Sequence, residues 1–252
     1  VQGDSAMARI LVVNGNTTGA ITDRIGAAAR AAAPPGVMVE AMTVPYGLPL
    51  IVSRADWLVA GPAILAALSA RRGGYDAAVI AVFGDPGLDA AKELLDVPVL
   101  GISEAAFHAA AMLGRRFGVV SFTAALRPMF EDCLAHHGLA GRCCGFRMGP
   151  PDASYPDGFG PRERAALVAL VRDSVAQDGA EAVILAGGPL AGLAPVLQPE
   201  VAVPLVDGTA AAVRMAAALA GMAPVARPRR GRAALTGYDP AVTALYAGDG
   251  AR

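Results

Sequence analysis

The chain has 252 residues, a formal net charge of −1 and an apolar content of 54%. This composition excludes an intrinsically disordered chain, which would be poorer in apolar residues and richer in charge. The near-neutral charge gives no general reason to bind nucleic acid or an acidic membrane surface, and neither partner is expected. The 3 cysteines are too few for a disulfide framework, which favours a reducing, cytoplasmic setting.

We expect neither a signal peptide nor a membrane span in this sequence. The first six residues, VQGDSA, precede Met7 and are interpreted as a cloning remnant, because they lack the charged start and apolar core of a signal peptide. The most apolar stretch, residues 206–226, is interrupted by Asp207 and Arg214. We therefore predict a buried helix there and no membrane span.

The chain alternates short β-rich apolar runs with alanine-rich helical stretches. In chain order, the predicted elements are strand 9–13, helix 21–33, strand 37–44, helix 57–70, strand 77–82, helix 87–95, strand 97–102, helix 104–113, strand 117–121, helix 124–137, helix 161–177, strand 182–186, strand 203–206 and helix 209–220. Strands that alternate with helices predict parallel sheets with both faces covered. An α/β fold is therefore expected.

Matching strand positions recur at a nearly constant spacing of roughly 105 residues. The matched pairs are Asn14 with Ser121, Ala78 with Ala182, and Pro98 with Pro204. This spacing predicts two similar Rossmann-like (flavodoxin-like) halves related by duplication, with a pseudo-twofold axis between them. Residues 7–103 with 208–252 are assigned to the first half, and residues 104–207 to the second. Because open parallel sheets bind ligands at the carboxyl ends of their strands, the active site is expected in the cleft between the halves.

Two segments have an unusual composition. Residues 147–161 (RMGPPDASYPDGFGP) are too rich in proline and glycine for a regular element, and a lid over the cleft and a surface loop both stay open. Residues 227–232 contain a cluster of arginines. A solvated or subunit-wrapping tail is favoured there over an arm that binds nucleic acid.

Four loops follow predicted strands and face the expected cleft. Residues 14–19 (NGNTTG) lead into a helix, where they form an anion site or simply cap the helix. Residues 82–88 (VFGDPGL) form a tight turn whose amides can face a carboxylate or enolate. Residues 121–123 (SFT) offer hydroxyls, and residues 186–190 (AGGPL) offer only backbone. None is a GxGxxG fingerprint, so no nucleotide cofactor is predicted.

These motifs resemble the aspartate/glutamate/hydantoin racemase superfamily, most closely its hydantoin and allantoin racemase branch. The similarity covers residues 8–221. "VVNGNTT" is similar to the family's "NPNT" loop, with Gly15 in place of proline, and "FGDPGLDAAKELLDVPVLGISEAAFHAA", "LGRRFGVVSFT" and "VPLVDGTAAAV" are similar to that branch. The resemblance implies two Rossmann-like halves, no cofactor, no metal, a homo-oligomer and a small-molecule substrate held between the halves.

The resemblance also implies which residues hold the oxygens of a substrate carboxylate or imide. Some of them contribute backbone amides and others contribute side chains. They are Asn14, Asn16, Thr17, Val82, Phe83, Gly84, Ser121, Phe122, Thr123, Gly187, Gly188 and Pro189.

Racemases of this family use two cysteines, one from each half, which exchange protons with opposite faces of the α-carbon. The similar motifs place the first thiol at Val82 and the second, in a "GCAG" turn, at Gly187. Neither residue can carry a proton. Cys133, Cys143 and Cys144 follow no cleft-facing strand and are interpreted as buried small hydrophobic residues.

Four other side chains are candidates for a catalytic acid or base. Glu104 and His108 share a helix face, as an acid/base pair or in a supporting role. Tyr46 follows a strand, where it donates a hydrogen bond to a developing oxyanion or is simply half-buried. Asp85 is an acid/base candidate, although an aspartate that caps a turn is the commoner case.

Three further polar residues lie at the ends of predicted elements. His136 and His137 end a helix, where a positive charge suits the helix dipole, and they are predicted to lie on the surface. Asp207 closes a strand.

The residues predict a cofactor-independent enzyme of altered chemistry. Its amides and hydroxyls would stabilise an enolate or oxyanion in decarboxylation, carbon–carbon cleavage, isomerisation, dehydration or cyclisation. Valine and glycine in place of thiols predict a roomier, more apolar cleft for a larger, less polar substrate. Two alternatives stay open: a hydantoin-type racemase with bases such as Asp85 and His108, and a non-catalytic protein that binds a small carboxylate.

Overall fold

The computed structural model describes residues 8–151, 158–220, 222 and 235–247. These residues form two four-stranded parallel sheets with helices, which confirms the predicted α/β fold. The first sheet has the order β2-β1-β3-β4 and the second the order β6-β5-β7-β8. The strands are β1 (Ala8–Asn14), β2 (Val37–Thr43), β3 (Ala77–Ile80), β4 (Val99–Gly101), β5 (Phe117–Ser121), β6 (Cys143–Met148), β7 (Ala182–Leu185) and β8 (Leu205–Asp207).

Helices connect the strands and cover both sheets. They are α1 (Gly19–Ala32), α2 (Arg54–Ala70), α3 (Leu88–Leu94), α4 (Ile102–Leu113), α5 (Arg127–His136), α6 (Pro161–Asp178), α7 (Ala194–Leu197), α8 (Gly208–Ala220) and α9 (Pro240–Ala247). Among the described residues, none of these helices combines the length and apolarity that a membrane span requires.

The two sheets repeat one topology. In each, the first strand lies between the second and the third, as in flavodoxin-like folds. The parallel pairing is also equivalent, because Ile10 of β1 pairs with Ala77 of β3 and Phe117 of β5 pairs with Ala182 of β7. The predicted duplication is consistent with this repeat. In both halves, the connection reverses direction between the first and third strands, which is where such sheets bind ligands.

The central strands form because nearly every side chain in them is apolar. Strands β3 and β7 read AAVI and AVIL, and all their residues are buried. Aromatic residues pack across the two halves: Phe83 of the first half and Phe107 of the second are buried, with ring centroids 5.5 Å apart. Burial of one such side chain contributes about 2 kcal/mol. The core is therefore shared between the halves.

The helix after each sheet packs on the other half. Helix α4 follows β4 directly and contacts β7 and β8, whereas α8 follows β8 directly and contacts β1 and β3. Both crossings start next to a glycine that has no room for a side chain. A Cβ on Gly101 would lie 2.1 Å from the carboxyl carbon of Asp85, and one on Gly208 would lie 2.7 Å from the Ile102 carbonyl oxygen. These contacts support the predicted division, which we propose: residues 7–103 with 208–252 form one half, and residues 104–207 form the other.

Some predicted boundaries are wrong for local reasons. Helix α2 begins at Arg54, before the predicted start at position 57, because Ser53 and Asp56 form a capping box. The predicted helix 124–137 is divided into a 3₁₀ turn, Ala124–Leu126, and α5.

Several short elements were not predicted, including α7 and the two described next. Residues Gly188–Leu190 form a 3₁₀ turn in the fourth cleft loop, and α9 contacts α2. The predicted remnant at 1–6, residues 152–157 of the possible lid and the arginine cluster at 227–232 lie outside the described residues.

Candidate active site

A small cavity lies where the carboxyl ends of β1, β3, β5 and β7 meet; we call it the strand-end cavity. Its volume is about 30 Å³, and both halves contribute to it. Its lining consists of Asn16, Leu50, Ile51, Ala81, Val82, Phe83, Phe122, Leu126, Phe130, Gly187, Gly188 and Pro189. Seven residues predicted to contact the substrate are thus brought together: Asn16, Val82, Phe83, Phe122, Gly187, Gly188 and Pro189.

The lining of the strand-end cavity is mostly apolar, and the cavity is small. That valine and glycine make the cleft roomier and more apolar than thiols would stays a prediction. A volume of about 30 Å³ corresponds to roughly one water molecule. The side chains of Leu50, Phe122 and Phe130 are among those that bound this small space. A ring-sized ligand therefore requires movement of at least one lining segment.

The segment that carries Leu50 and Ile51 lies over the first cleft loop. The Thr17 amide donates to the Leu48 carbonyl at 2.9 Å, and the Thr18 hydroxyl donates to the Pro49 carbonyl at 2.7 Å. These two hydrogen bonds close residues 48–51 over the strand-end cavity. They also occupy the Thr17 amide, which was predicted to bind substrate.

Positions 82 and 187 lie on walls contributed by different halves. Val82 is buried, and Gly187 has φ +125°, a conformation that side-chain-bearing residues rarely adopt. A Cβ at position 187 would lie 3.2 Å from the Phe122 ring. The backbone here is therefore suited to glycine. Neither wall carries a group that can accept or donate a proton.

Asn16 supplies a polar side chain to the cavity. Its Oδ1 accepts hydrogen bonds from the Asn14 side chain at 3.0 Å and from the Thr18 amide at 3.0 Å. Asn14 also donates to the Thr22 hydroxyl at 2.9 Å. These contacts fix the Asn16 side chain with its amide nitrogen left as the donor for a ligand. Asn14 itself is fully buried and supports this arrangement from behind.

The hydroxyls of the third cleft loop bind backbone within the protein. Ser121 donates to the Ala186 carbonyl at 2.6 Å, and Thr123 donates to the Pro151 carbonyl at 2.6 Å. The Gly84 amide likewise donates to the Ser103 hydroxyl at 2.6 Å. In the described structure, these three predicted substrate contacts hold loops together and do not line the strand-end cavity.

Asp85 lies on the opposite side of its loop from the strand-end cavity. Its carboxylate accepts the Ser103 amide at 3.0 Å and the Glu104 amide at 2.8 Å, so that it caps the start of α4. His137 Nε2 lies 3.2 Å from the same carboxylate. Asp85 also has φ +52°, unusual for a residue with a side chain. This geometry favours the capping role over the acid/base role.

The other acid/base candidates also lie outside the described cavity lining. Glu104 pairs with Lys92, and its carbonyl binds His108 Nδ1 at 2.8 Å. Tyr46 is 46% exposed. Its partial burial raises the pKa of Tyr46, and the nearby Asp239 carboxylate adds to this effect. Asp85 and His108, predicted as the two bases of a racemase, do not both face the strand-end cavity.

The cysteines and histidines differ from expectation in part. Cys133 is buried, as predicted, and burial raises the pKa of its thiol. Cys143 and Cys144 are only half-buried on β6, so the prediction of burial is wrong for both. His137 was predicted to lie on the surface, but its side chain is 8% exposed because it turns towards Asp85. His136 is exposed and lies 3.0 Å from Asp89.

A second cavity of about 650 Å³ lies on the other side of the 82–88 loop; we call it the outer cavity. Its lining consists of Arg54, Trp57, Leu58, Gly84, Asp85, Gly87, Leu88, Asp89, Ala90, Met129, Asp132, Cys133, His136 and His137. The outer cavity was not predicted from the sequence. One available signal was the spacing of Cys133 and His137, which puts both on one face of a helix.

Buried Asp207 acts at the junction of β8 and α8. It accepts hydrogen bonds from the amides of Gly192, Thr209 and Ala210 at 2.5, 2.8 and 3.1 Å. Burial raises the pKa of Asp207, and these three bonds oppose that effect. The residue therefore orders the start of α8, and it does not line the strand-end cavity.

Two equivalent α/β halves with a shared cavity at their strand ends define a class of small-molecule enzymes. Within this class, the chain belongs to the Asp/Glu/Hydantoin racemase family, whose pattern matches residues 10–216. The chain is 33% identical to the hydantoin racemase of Paenarthrobacter aurescens over 204 residues, which are 79% of this chain and 85% of that relative.

Solved structures agree with this assignment. An allantoin racemase from Klebsiella pneumoniae is 36% identical, with a TM-score of 0.85 over 94% of this chain and 98% of the other. An allantoin racemase from Pseudomonas fluorescens is 34% identical, with a TM-score of 0.75 over 84% of this chain and 90% of the other.

Proposed function

We propose that the chain is a cofactor-independent enzyme that acts at a carbon next to a carbonyl group, on a cyclic ureide of the hydantoin class or a related small carbonyl compound. The named relatives act on hydantoins and allantoin, and both compounds contain the same five-membered imide ring. The proposal takes the substrate class from these relatives. It takes the position of the reacting carbon from the two walls at Val82 and Gly187.

The observation that carries the proposed chemistry is the absence of any titratable side chain from the described lining of the strand-end cavity. Racemisation by two bases requires a proton carrier on each face of the reacting carbon. Valine faces one side and glycine the other. We therefore propose a reaction that forms an enolate without removing a proton through a lining side chain.

Loss of carbon dioxide from the reacting carbon satisfies this requirement. The bond to the carboxylate breaks, its electron pair becomes the enolate, and a proton from water then completes the product. Other carbon–carbon cleavages and isomerisations that begin in the same way are also compatible. Stabilisation of the enolate oxygen by fixed donors supplies the catalysis.

The donors for this oxygen are the Asn16 amide nitrogen and the backbone amides of Gly187 and Gly188, which line the cavity. Asn16 is held by its two accepted hydrogen bonds and so needs no reorganisation when charge develops. Gly188 begins a 3₁₀ turn at the cavity wall. The apolar side chains of Phe83 and Phe122 exclude water, which strengthens these interactions.

A second candidate is a hydantoin racemase that uses bases other than cysteine. The similarity to racemases over most of the chain favours it. It requires side chains from outside the described lining, such as Asp85, to reach the substrate after the loops move. In the described structure, Asp85 is held on the far side of its loop by three hydrogen bonds.

One experiment separates these functions. The protein is incubated in deuterated water with the separate enantiomers of allantoin and of 5-substituted hydantoins, and with their 5-carboxylated analogues. Exchange at the ring carbon with inversion supports the racemase. Carbon dioxide release without inversion of the simple hydantoins supports the main proposal. Binding by calorimetry with neither reaction supports a non-catalytic protein and contradicts both enzymatic proposals.

A matched pair of variants tests the assignment of the two walls. Gly187→Cys together with Val82→Cys places a thiol on each side, whereas Gly188→Cys with Val82→Cys places the second thiol one residue further along. A Cβ at position 188 meets only ordinary contacts, the nearest 3.5 Å away. Inversion in the first variant alone supports the assignment. Inversion in neither, with both variants folded, contradicts it.

A further inference from the structure

Three side chains with different ligand chemistry meet at the edge of the outer cavity. Asp85, Cys133 and His137 each offer one ligand atom, and these atoms all lie within 4.8 Å of one another. Asp85 and Cys133 are buried, and the His137 side chain is 8% exposed. We propose that Asp85, Cys133 and His137 form a binding site for a zinc ion, which none of the relatives' names implies and which the sequence alone did not predict.

The distances already approach those of a tetrahedral zinc centre. With zinc–ligand bonds of about 2.0 to 2.3 Å, the nitrogen and oxygen ligands lie about 3.3 Å apart and the sulfur and oxygen ligands about 3.5 Å apart. Here His137 Nε2 is 3.2 Å from Asp85 Oδ2, and Cys133 Sγ is 3.9 Å from the same oxygen. These two pairs are within about 0.4 Å of the tetrahedral spacing, and the third pair, Cys133 Sγ and His137 Nε2, lies within 4.8 Å.

The carboxylate is oriented by groups that leave its ligand position free. The Ser103 amide donates to Oδ1 and the Glu104 amide to Oδ2, and these two hydrogen bonds fix the plane of the carboxylate at the start of α4. Such second-shell hydrogen bonds orient metal ligands and raise their affinity for the ion. The remaining lone pair of Oδ2 faces His137 and Cys133.

The ligand types favour zinc over the common alternatives. One thiol, one imidazole and one carboxylate form a mixed set of soft and hard donors, which suits zinc and does not suit magnesium or calcium. Cys133 and His137 lie four residues apart and so project from one face at the end of α5. Three protein ligands leave a fourth position open, and the outer cavity provides a route to it.

Binding exchanges one proton for the ion. The Cys133 thiol loses its proton to the buffer as the sulfur–zinc bond forms, and His137 binds the ion through the lone pair of Nε2. The ion would join α5 to the 82–88 loop and to the start of α4, three segments that already contact one another through the Asp85 hydrogen bonds and the packing of Phe83 against Phe107 and Phe130.

The test uses untagged protein stripped with a chelator and then titrated with zinc against a competing dye. We expect about one zinc ion bound per chain and a rise in the thermal unfolding temperature. Both effects are lost in Cys133→Ser and His137→Gln. The matched controls replace the same residue types outside the cluster: Cys143→Ser on β6 and His136→Gln directly before His137. Both controls are expected to retain zinc binding. Failure of the parent protein to bind, or equal binding by all four variants, overturns the proposal.

Cobalt gives a readout that needs no variant. Cobalt bound to this site shows a thiolate-to-metal charge-transfer band, which is absent from complexes with nitrogen and oxygen ligands alone. A parent complex without that band overturns the proposal even if Cys133→Ser fails to fold. The proposal is independent of the proposed catalytic reaction, because the 82–88 loop separates the two cavities.

Discussion

The strand-end cavity and the outer cavity share one loop and differ in nearly every chemical respect. The first is small and is lined by apolar side chains together with Asn16. The second is roughly twenty times larger and contains carboxylates, histidines and a thiol. Val82 faces the first cavity, whereas Asp85, three residues later, faces the second.

Val82 and Asp85 face different cavities because of the turn between them, and not because of the identity of their side chains. Gly84 and Gly87 have φ +115° and +76°, and Asp85 between them has φ +52°. These left-handed conformations reverse the chain and turn the carboxylate towards α4. A titratable residue directly after a strand is therefore insufficient to predict a catalytic group, since the direction of the turn decides which cavity it enters.

The largest effect is expected in the reactivity of two thiols, Cys133 in the outer cavity and Cys143 on β6 outside both cavities, because the pKa of each is raised. Burial raises the pKa of Cys143 to about 11, and it also raises the pKa of the more deeply buried Cys133. At pH 8, alkylation of Cys143 should be about 100-fold slower than in urea-unfolded protein, and that of Cys133 slower still.

Mass spectrometry of peptides after timed iodoacetamide treatment gives these rates. Each rate should rise about tenfold per pH unit up to pH 10, because the thiolate fraction rises with pH below the pKa. Alkylation of Cys133 at the rate of an unfolded thiol would contradict the burial and raised pKa of this thiol, and a rate above that of the unfolded protein would show that the outer cavity contains an activated nucleophile.

The second prediction concerns the polar side chain of the strand-end cavity. Asn16→Asp keeps an acceptor for Asn14 and Thr18 but replaces the donor that faces the ligand with a negative charge. We expect a loss of about 100-fold in kcat/KM on the substrate identified in the exchange assay. The control is Asp89→Asn in the outer cavity, which should retain the parent rate. Full activity of Asn16→Asp would exclude this residue from the site.

The third prediction separates capping from catalysis at Asp85. Asp85→Ala removes two hydrogen bonds to the start of α4 and should lower the free energy of unfolding by about 2 kcal/mol in urea titrations. Asp85→Asn retains one acceptor and should lose less stability and less than tenfold in activity. An Asp85→Asn variant of parent stability but without activity would support Asp85 as a catalytic acid or base.

The smallest effect is expected at Trp57, the one tryptophan of the chain. Its Nε1 donates to the Gly84 carbonyl at 2.7 Å and so supports the shared loop from the outer cavity. Trp57→Phe should lower the free energy of unfolding by about 1 kcal/mol, measured by circular dichroism. In the parent protein, its fluorescence should change when the outer cavity is occupied and change little when the strand-end cavity is.

The fold was predictable because its signals are local and repeated. Buried strands such as AAVI and AVIL alternate with helices, and their spacing along the chain reveals the duplication. The positions of Asn16, Val82, Phe122 and Gly187 around one cavity follow from the rule that parallel strands bind ligands at their carboxyl ends.

Other features of the site depend on contacts between distant segments. The hydroxyls of Ser121 and Thr123 bind carbonyls of residues 65 and 28 positions away, and no local pattern signals that use. The closure of residues 48–51 over the cavity depends on hydrogen bonds to Thr17 and Thr18. The burial of His137 depends on the left-handed turn at Asp85.

The reciprocal packing of α4 and α8 affects how the two halves unfold. Each sheet is covered by a helix whose sequence is continuous with the other sheet. A half expressed alone would expose an apolar sheet face, and two separate halves could hide those faces only by exchanging helices with each other. The two halves are joined in one chain, and each contributes a helix to the other. We therefore expect the molecule to unfold in one cooperative step.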